Sequence, residues 1–381
     1  SEVNFFFCFS NAGASENTIT LPDLWNYNYY LVDSLNCFYE FNGTPTNWDE
    51  VPVGWGGNKK MFSLDIFIPE DSLSFVVPFK IGTYSYAGNV RINWGDGNED
   101  IIGSNVTQEQ CTHVYENSGN YTITLNVLRE RMPIFSFGET SVSNSLKLLS
   151  VGGTLGLMSN KDEDIIYTPE GEPINVVNFD YMFSGCSNLT KVSSSLLQLN
   201  VGDIENNVLP NAIRMFEDSG IQVLQSNFFP ILGEDVNACF YNCRNLIKIP
   251  KMRGATNYNS CFYGCSSLKD IPSDTFAWRG QSNIKSKIFN FCFSNCNSLV
   301  SIPNDLFLFL DEEGVDEFVG CFNNCINLET IPDNLFAHTT AVSYSGCFSG
   351  CNKLKINPNI FGMSNSRFSK LKNDQTVDLS S

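Results

Sequence analysis

The chain has 381 residues, enough for two or three domains. It carries 23 Lys and Arg against 41 Asp and Glu, and this formal net charge of −18 disfavours binding to DNA, RNA or an anionic membrane through a basic surface. No apolar run is long enough to cross a bilayer as a helix, so we expect no membrane span.

Residues 1–60 are rich in aromatic residues and Asn and poor in charge. Two interpretations stay open. The segment is either β-rich and packed onto the next domain, or an attachment segment whose aromatic side chains anchor it to a larger assembly. No basic stretch leads into an apolar one at the N-terminus. We therefore expect either an exported protein whose leader has been removed or a protein made without one.

Residues 61–144 show the period of two that half-buried strands have. Apolar residues alternate in three runs: Phe62, Leu64, Ile66 and Ile68; Val90, Ile92 and Trp94; Tyr121, Ile123, Leu125 and Val127. Such runs with turn residues between them predict a small β-sandwich. Residues 94–97, Trp-Gly-Asp-Gly, predict a tight turn, because Asp-Gly is favoured where φ must be positive.

Three side chains could suggest catalysis or metal binding. Asp96 lies in the predicted turn, where we expect its carboxylate to accept backbone N–H bonds. His113 is expected to make a structural hydrogen bond at the start of a strand, and His338 lies in a loop with no evident partner. The chain also lacks a phosphate-binding Gly loop, a Gly-x-Ser-x-Gly turn and a His-Glu-x-x-His pair. We expect no enzymatic activity, no cofactor and no bound metal.

The second half of the chain contains a repeat. Each copy has Cys or Met at position zero, Phe at +1, Cys at +4 and Leu at +7. The copies have position zero at Met182, Cys239, Cys261, Cys292, Cys321 and Cys347, and a degenerate copy starts at Met215 with Ser219 at +4. Copies that recur every 22 to 33 residues predict stacked repeats.

Each copy is predicted to form a helical turn, a short strand and a loop. The apolar positions 0, +1, +4 and +7, with an aromatic residue or Val usual at −3, would share one face of a helical turn. In four copies Ile-Pro follows the leucine, which indicates a brief extended segment that Pro stops. One unit cannot bury its own apolar face, whereas stacked units form a continuous core.

The repeat cysteines allow two interpretations. Positions 0 and +4 of a helical turn lie within reach of a disulfide, but buried thiols also pack as small hydrophobic side chains. Position zero is Met in two of the seven copies, and Met cannot pair. We therefore favour free, buried thiols in a ladder along the stack, which fits assembly in a reducing compartment. Zinc binding is disfavoured, because the chain has two His and neither is near a Cys pair.

Two families resemble parts of the chain. The repeat, with its aromatic, Phe, Cys and Leu positions, resembles the BspA-type leucine-rich repeat over about residues 145–365, although that family commonly has Ala at position zero. Residues 94–97, 113–115 and 119–125 resemble the signature of PKD-type immunoglobulin-like domains. We predict a Leu-Leu-Ser-Val linker at residues 148–151 between the two. This order of domains resembles surface proteins of gut and oral bacteria and proteins of phages that infect them.

The predicted fold is therefore mainly β with short helices. Residues 1–60 form the N-terminal β-rich or attachment segment, 61–144 a PKD-like immunoglobulin-like β-sandwich, 145–365 a leucine-rich-repeat solenoid, and 366–381 a polar C-terminal tail.

The resemblance implies a non-enzymatic adhesion protein that presents its repeats to a host-cell protein or glycan. It would lie outside the cell, on a bacterial surface or on a phage virion. The alternative is a structural virion component, such as a tail or head fibre or a decoration protein, that docks onto other virion proteins through residues 1–60. No nucleic acid is expected as a partner. Ligand-binding residues are expected between the repeated positions, and the pattern assigns none of them individually.

Overall fold

A computed structural model describes most of the two regions that the sequence analysis singled out. The described residues are 62–79, 90–102, 109–127, 136–153, 179–194, 196–197, 211–226, 228–229, 232–233, 235–276, 287–307, 317–333, 335–336 and 343–355. Six two-residue strands are also described, at 3–4, 18–19, 32–33, 44–45, 166–167 and 173–174. His338 and the predicted tail, 366–381, lie outside them.

The described chain is mainly β, with very little helix. The strands are β1 Val3–Asn4, β2 Thr18–Ile19, β3 Val32–Asp33, β4 Thr44–Pro45, β5 Phe62–Ile68, β6 Ser74–Val76, β7 Val90–Asn93, β8 Glu99–Ile102, β9 Thr112–Val114, β10 Gly119–Val127, β11 Leu148–Gly152, β12 Ile166–Tyr167, β13 Pro173–Ile174 and β14 Lys191–Val192. Among the described residues, helix is limited to α1, Val142–Ser145, and two 3-10 turns, Glu109–Cys111 and Phe137–Glu139. Within residues 1–60, β1 pairs with β3 and β2 with β4, both in parallel. The attachment role predicted for residues 1–60 concerns a segment that lies mostly outside the described residues.

One six-stranded sheet contains most of the strands between residues 62 and 152 and one strand, β14, of the first copy. Its strand order is β14-β11-β5-β10-β7-β8, and β6 and β9 form a separate antiparallel pair. Alternate residues of β5 are buried, as the period of two predicted. The predicted turn after Trp94 is also confirmed, because residues 94–98 join β7 to β8 and Gly95 and Gly97 have φ of 81° and 97°.

The predicted linker at residues 148–151 is wrong, because these residues belong to β11. This strand is antiparallel to β5 and parallel to β14, so it joins the sheet to the first repeat copy. The register shifts between Leu148 and Ser150, and the buried residues are Leu148 and Val151. A bulge of this kind breaks the alternation of buried and exposed residues, which is why the segment lacked the pattern of a strand.

The predicted helical turn of each copy is also wrong, because two tight turns follow each other there. In all seven copies the amide of position 0 donates to the carbonyl of −3, and the amide of +4 donates to the carbonyl of +1. The residue at −1 has φ between 50° and 60°, and the residue at +3 has φ between 53° and 78°. An α-helix needs consecutive right-handed residues, so left-handed residues four apart exclude it.

Neighbouring copies are joined by a regular hydrogen-bond ladder. At each of the six junctions, the amides of −3, −1, +1 and +3 donate to carbonyls of the next copy, as in Phe240 N to Cys261 O at 2.7 Å. The turns use the other amides, so the two sets of bonds together satisfy the backbone of the buried segment. The copies are therefore stacked directly on one another.

The +1 phenylalanines form a continuous column through the stack. Their rings lie 5.2 to 5.5 Å apart from Phe183 to Phe348, and each ring is nearly parallel to the next beyond Phe216. Phe137 extends the column before the first copy, at 6.4 Å from Phe183. A second column joins Tyr258 to Phe289 and continues along position −3. Offset aromatic stacking of this kind adds to the stabilisation that burial provides.

Candidate functional site

The repeat cysteines are buried and free. The twelve cysteines that the structure describes all lack a disulfide, which confirms the free-thiol prediction for that part of the chain. Five of the thiols at +4 donate to the carbonyl of the +1 Phe in the preceding copy, at 2.8 to 3.3 Å. Ser219, at +4 of the degenerate copy, is another small side chain that can donate a hydrogen bond there. The cysteines at +4 therefore hold adjacent copies together.

Burial also makes the repeat thiols other than Cys351 poor nucleophiles. It raises the pKa of Cys243 to about 12 and holds the pKa of Cys261 and Cys265 well above its usual value. Because the thiolate is the reactive form, these cysteines are unsuited to catalysis.

Thiol labelling tests this packing role. Of the eleven repeat thiols between Cys186 and Cys351, we expect the ten up to Cys347 to resist a thiol reagent in the folded protein, because they are buried and their pKa is raised. Cys351 is expected to react before them, because a hydrogen bond with the Cys325 thiol lowers its pKa. In denaturant without reductant, at least those eleven should react. A denatured count near zero would show that the repeat is disulfide-bonded.

Asp96 and His113 lie together at the end of the β7–β8 hairpin. The Asp96 carboxylate accepts the backbone N–H of Asn98 at 3.0 Å and lies 2.7 Å from His113 Nε2. The His113 ring stacks on the buried Trp94 ring at 4.9 Å. Desolvation alone would raise the pKa of Asp96, but the hydrogen bonds from His113 and Asn98 outweigh it and lower that pKa. Both structural roles predicted for these residues are confirmed, and the sequence did not predict that the two side chains pair.

A second surface is formed by the residues that flank each repeat leucine. We call the exposed residues at positions +5, +6, +8 and +9 the leucine-flanking face. Backbone hydrogen bonds join this segment between copies: Ile247 N to Gln222 O at 2.9 Å, Glu329 N to Val300 O at 2.9 Å and Lys355 N to Glu329 O at 3.2 Å. Parallel bridges join Val223 to Lys248 and Ser301 to Thr330. The degenerate copy is one residue shorter here, and Gln222 takes the place of +8.

The leucine-flanking face carries both apolar and charged side chains. Four exposed aliphatic residues, Val223, Ile247, Val300 and Ile326, have 43 to 47% of their surface accessible. A groove of about 460 Å³ crosses the last four copies, and its lining residues are Lys269, Asp270, Ser298, Val300, Asn327, Glu329 and Lys353. The groove is open to solvent and combines charged, polar and apolar side chains.

No residue of this face was predicted from the sequence to have a functional role. The repeated residues drew attention because they are regular, and the structure places those inside. In four copies, two variable residues lie between the leucine and Ile-Pro in the sequence, and the structure exposes them. Their variability between two fixed positions is the signal that could have identified the face.

Within the described residues, no group of three or more His, Cys, Asp and Glu side chains is placed to hold a metal ion. None of the helices in the described part of the chain is long and apolar enough to cross a membrane.

Comparison of the chain with protein-family models, with characterised proteins and with solved structures finds no match to any of the three.

Proposed function

We propose that this protein is a non-enzymatic recognition protein, in which a BspA-type leucine-rich-repeat solenoid follows a PKD-like immunoglobulin-like domain. It would act outside the cell, on a bacterial surface or on a phage virion, and bind a host protein or glycan. The observation that carries the proposal is that each copy separates into buried repeated residues and exposed variable residues. The repeated Cys, Phe and Leu are buried, except Phe348 and Leu354 of the last copy, which are partly exposed, and the variable residues beside the leucine are exposed on one face.

The ladder between copies supports a binding role. Because each copy is fixed to the next by four backbone hydrogen bonds, the exposed residues are held on a rigid support. A rigid surface loses little conformational entropy when it binds a ligand. The exposed aliphatic residues on the leucine-flanking face provide apolar contact area.

Binding to an array of immobilised glycans and extracellular-matrix proteins tests this role. We expect the full chain to bind at least one of them, and the double substitution Ile247→Asp with Val300→Asp to weaken that binding by about tenfold or more, because it places charges in the contact. The matched control is Ile101→Asp with Val142→Asp, which changes residues that are 61% and 74% exposed outside the face.

The two variants should unfold at similar temperatures to the wild type. If the wild type binds nothing on the array, or if both variants lose binding equally, the proposed function is wrong.

The free thiols favour a second role, as a structural virion component. Eleven cysteines in one repeat region would mispair readily while the chain folds in an oxidising compartment, so folding in a reducing cytoplasm is favoured. A phage protein is made in such a compartment before release, and residues 1–60 would then dock onto other virion proteins. Disulfides in the protein isolated from its natural source would rule this role out.

A further inference from the structure

The leucine-flanking face has the opposite charge from the chain as a whole. It carries six cations, Lys191, Arg244, Lys248, Lys269, Lys353 and Lys355, and two acids, Asp270 and Glu329. The other described residues between 179 and 355 include four cations and eight acids. The face therefore has a formal charge of +4 on a chain whose net charge is −18. Such an uneven distribution attracts an anionic ligand to one side of the protein.

The cations on this face are available to a ligand. All six are exposed, and none of them forms an ion pair with a described carboxylate. Lys353 Nζ donates to Asn327 Oδ1 at 2.7 Å, which holds one ammonium at the groove. Two cations of the repeats that lie away from the face differ, because Arg214 pairs with Glu217 and Lys251 pairs with Asp274.

The groove combines three kinds of contact. Lys269 and Lys353 can pair with acidic groups. The carboxylates of Asp270 and Glu329 can accept hydrogen bonds from hydroxyl groups, and Val300 offers an apolar contact. A chain of sugars with acidic substituents has all three complementary features. Single-stranded DNA is less suited, because its backbone sugars have no free hydroxyl groups from which the two carboxylates could accept hydrogen bonds.

We propose that the leucine-flanking face binds an anionic polysaccharide along the stack, with its centre at the groove between Lys269 and Lys353. This inference rests on the proposed recognition function and narrows its ligand class. The cations of the third, fourth and seventh copies follow one another along the axis of the stack, and an extended ligand could contact all of them.

The test measures the affinity of the full chain for four immobilised polymers: heparin as a sulfated polysaccharide, polygalacturonate as a carboxylated one, neutral dextran, and single-stranded DNA. We expect binding to heparin, polygalacturonate or both, weaker binding to DNA, and none to dextran. The substitution Lys269→Glu with Lys353→Glu should weaken the binding by about tenfold or more, and a rise in salt should weaken the wild type further. Binding to only one of the two acidic polysaccharides would show whether sulfate or carboxylate is recognised.

Two further variants separate a local effect from a general charge effect. Arg91→Glu with Val114→Glu and Val142→Glu makes the same change in net charge away from the face, at exposed residues, and should bind like the wild type. Lys269→Arg with Lys353→Arg should keep most of the affinity. The inference is overturned if neither acidic polysaccharide binds, if DNA binds as tightly as either, or if the two variants that change the net charge behave alike. Binding of the glycan and matrix-protein array with no dependence on Lys269 and Lys353 would overturn this inference and leave the recognition function standing.

Discussion

Replacing Gly220 with alanine is expected to destabilise the protein severely. The new Cβ would lie 2.2 Å from the Ser187 carbonyl oxygen and 3.0 Å from that of Leu189. Both atoms belong to the backbone of the first copy, so the overlap is relieved only if the first two copies move apart. That movement would break the hydrogen bond from Gly220 N to Cys186 O, which is 3.1 Å long. We expect a loss of about 3 kcal/mol or more in the free energy of unfolding, measured by chemical denaturation.

Gly346→Ala is the matched control. Its Cβ would lie 3.9 Å from the nearest atom, Ser349 Cβ, so only backbone strain opposes it. Gly346 has φ of 60°, and Ala238 holds the same repeat position with φ of 52°. The expected loss is about 1 kcal/mol. Equal losses for the two variants would show that the close approach of the first two copies is not as the structure has it.

Replacing Phe262 with alanine should remove the centre of the aromatic column. The side chain is fully buried, and its ring lies 5.3 Å from the rings of Phe240 and Phe293. Loss of a buried Phe leaves a cavity and costs about 3 to 5 kcal/mol. Because each copy of a stack contacts only its neighbours, we also expect the unfolding transition to broaden or divide.

Phe348→Ala provides the comparison at the end of the same column. Phe348 is partly exposed and stacks on Phe322 alone in the column, at 5.5 Å. We expect a loss of about 1 to 2 kcal/mol, because less apolar area is removed from the core. A loss at Phe348 as large as that at Phe262 would contradict a column in which the inner copies are the most stabilised. Circular dichroism during denaturation gives both values.

Of the two turns in each copy, only the second could have been predicted from the repeat pattern. The residue at +3 is Gly, Asn or Asp in every copy, and these residues tolerate positive φ, so the sequence held a signal for the second turn that the helical spacing obscured. The residue at −1 gives no such signal, because Tyr181, Arg214 and Phe291 also have positive φ there. A non-glycine residue in this conformation costs about 1 to 2 kcal/mol, and the hydrogen bonds between copies offset that cost. Contacts between copies, not local preference, therefore set the first turn.

Some strands could likewise be predicted from the sequence and others could not. The alternation in β5 was sufficient to predict it, since the sheet buries one of its faces and leaves the other partly accessible. β11 was missed because its bulge breaks that period, and its pairing with both β5 and β14 depends on residues far away in the chain. The pairing of Asp96 with His113 also joins the turn between β7 and β8 to strand β9, 17 residues further along the chain.

The sequence by itself determined which residues of this protein are buried in the repeats, because small and aromatic side chains recur at the same positions in each copy, and it favoured free thiols among them. Only the tertiary structure decided the path of the backbone through each copy and the face on which the remaining residues lie. Those depend on hydrogen bonds between copies 22 to 33 residues apart. The basic face of this acidic chain follows from that stacking, because it brings together side chains that are scattered along the sequence.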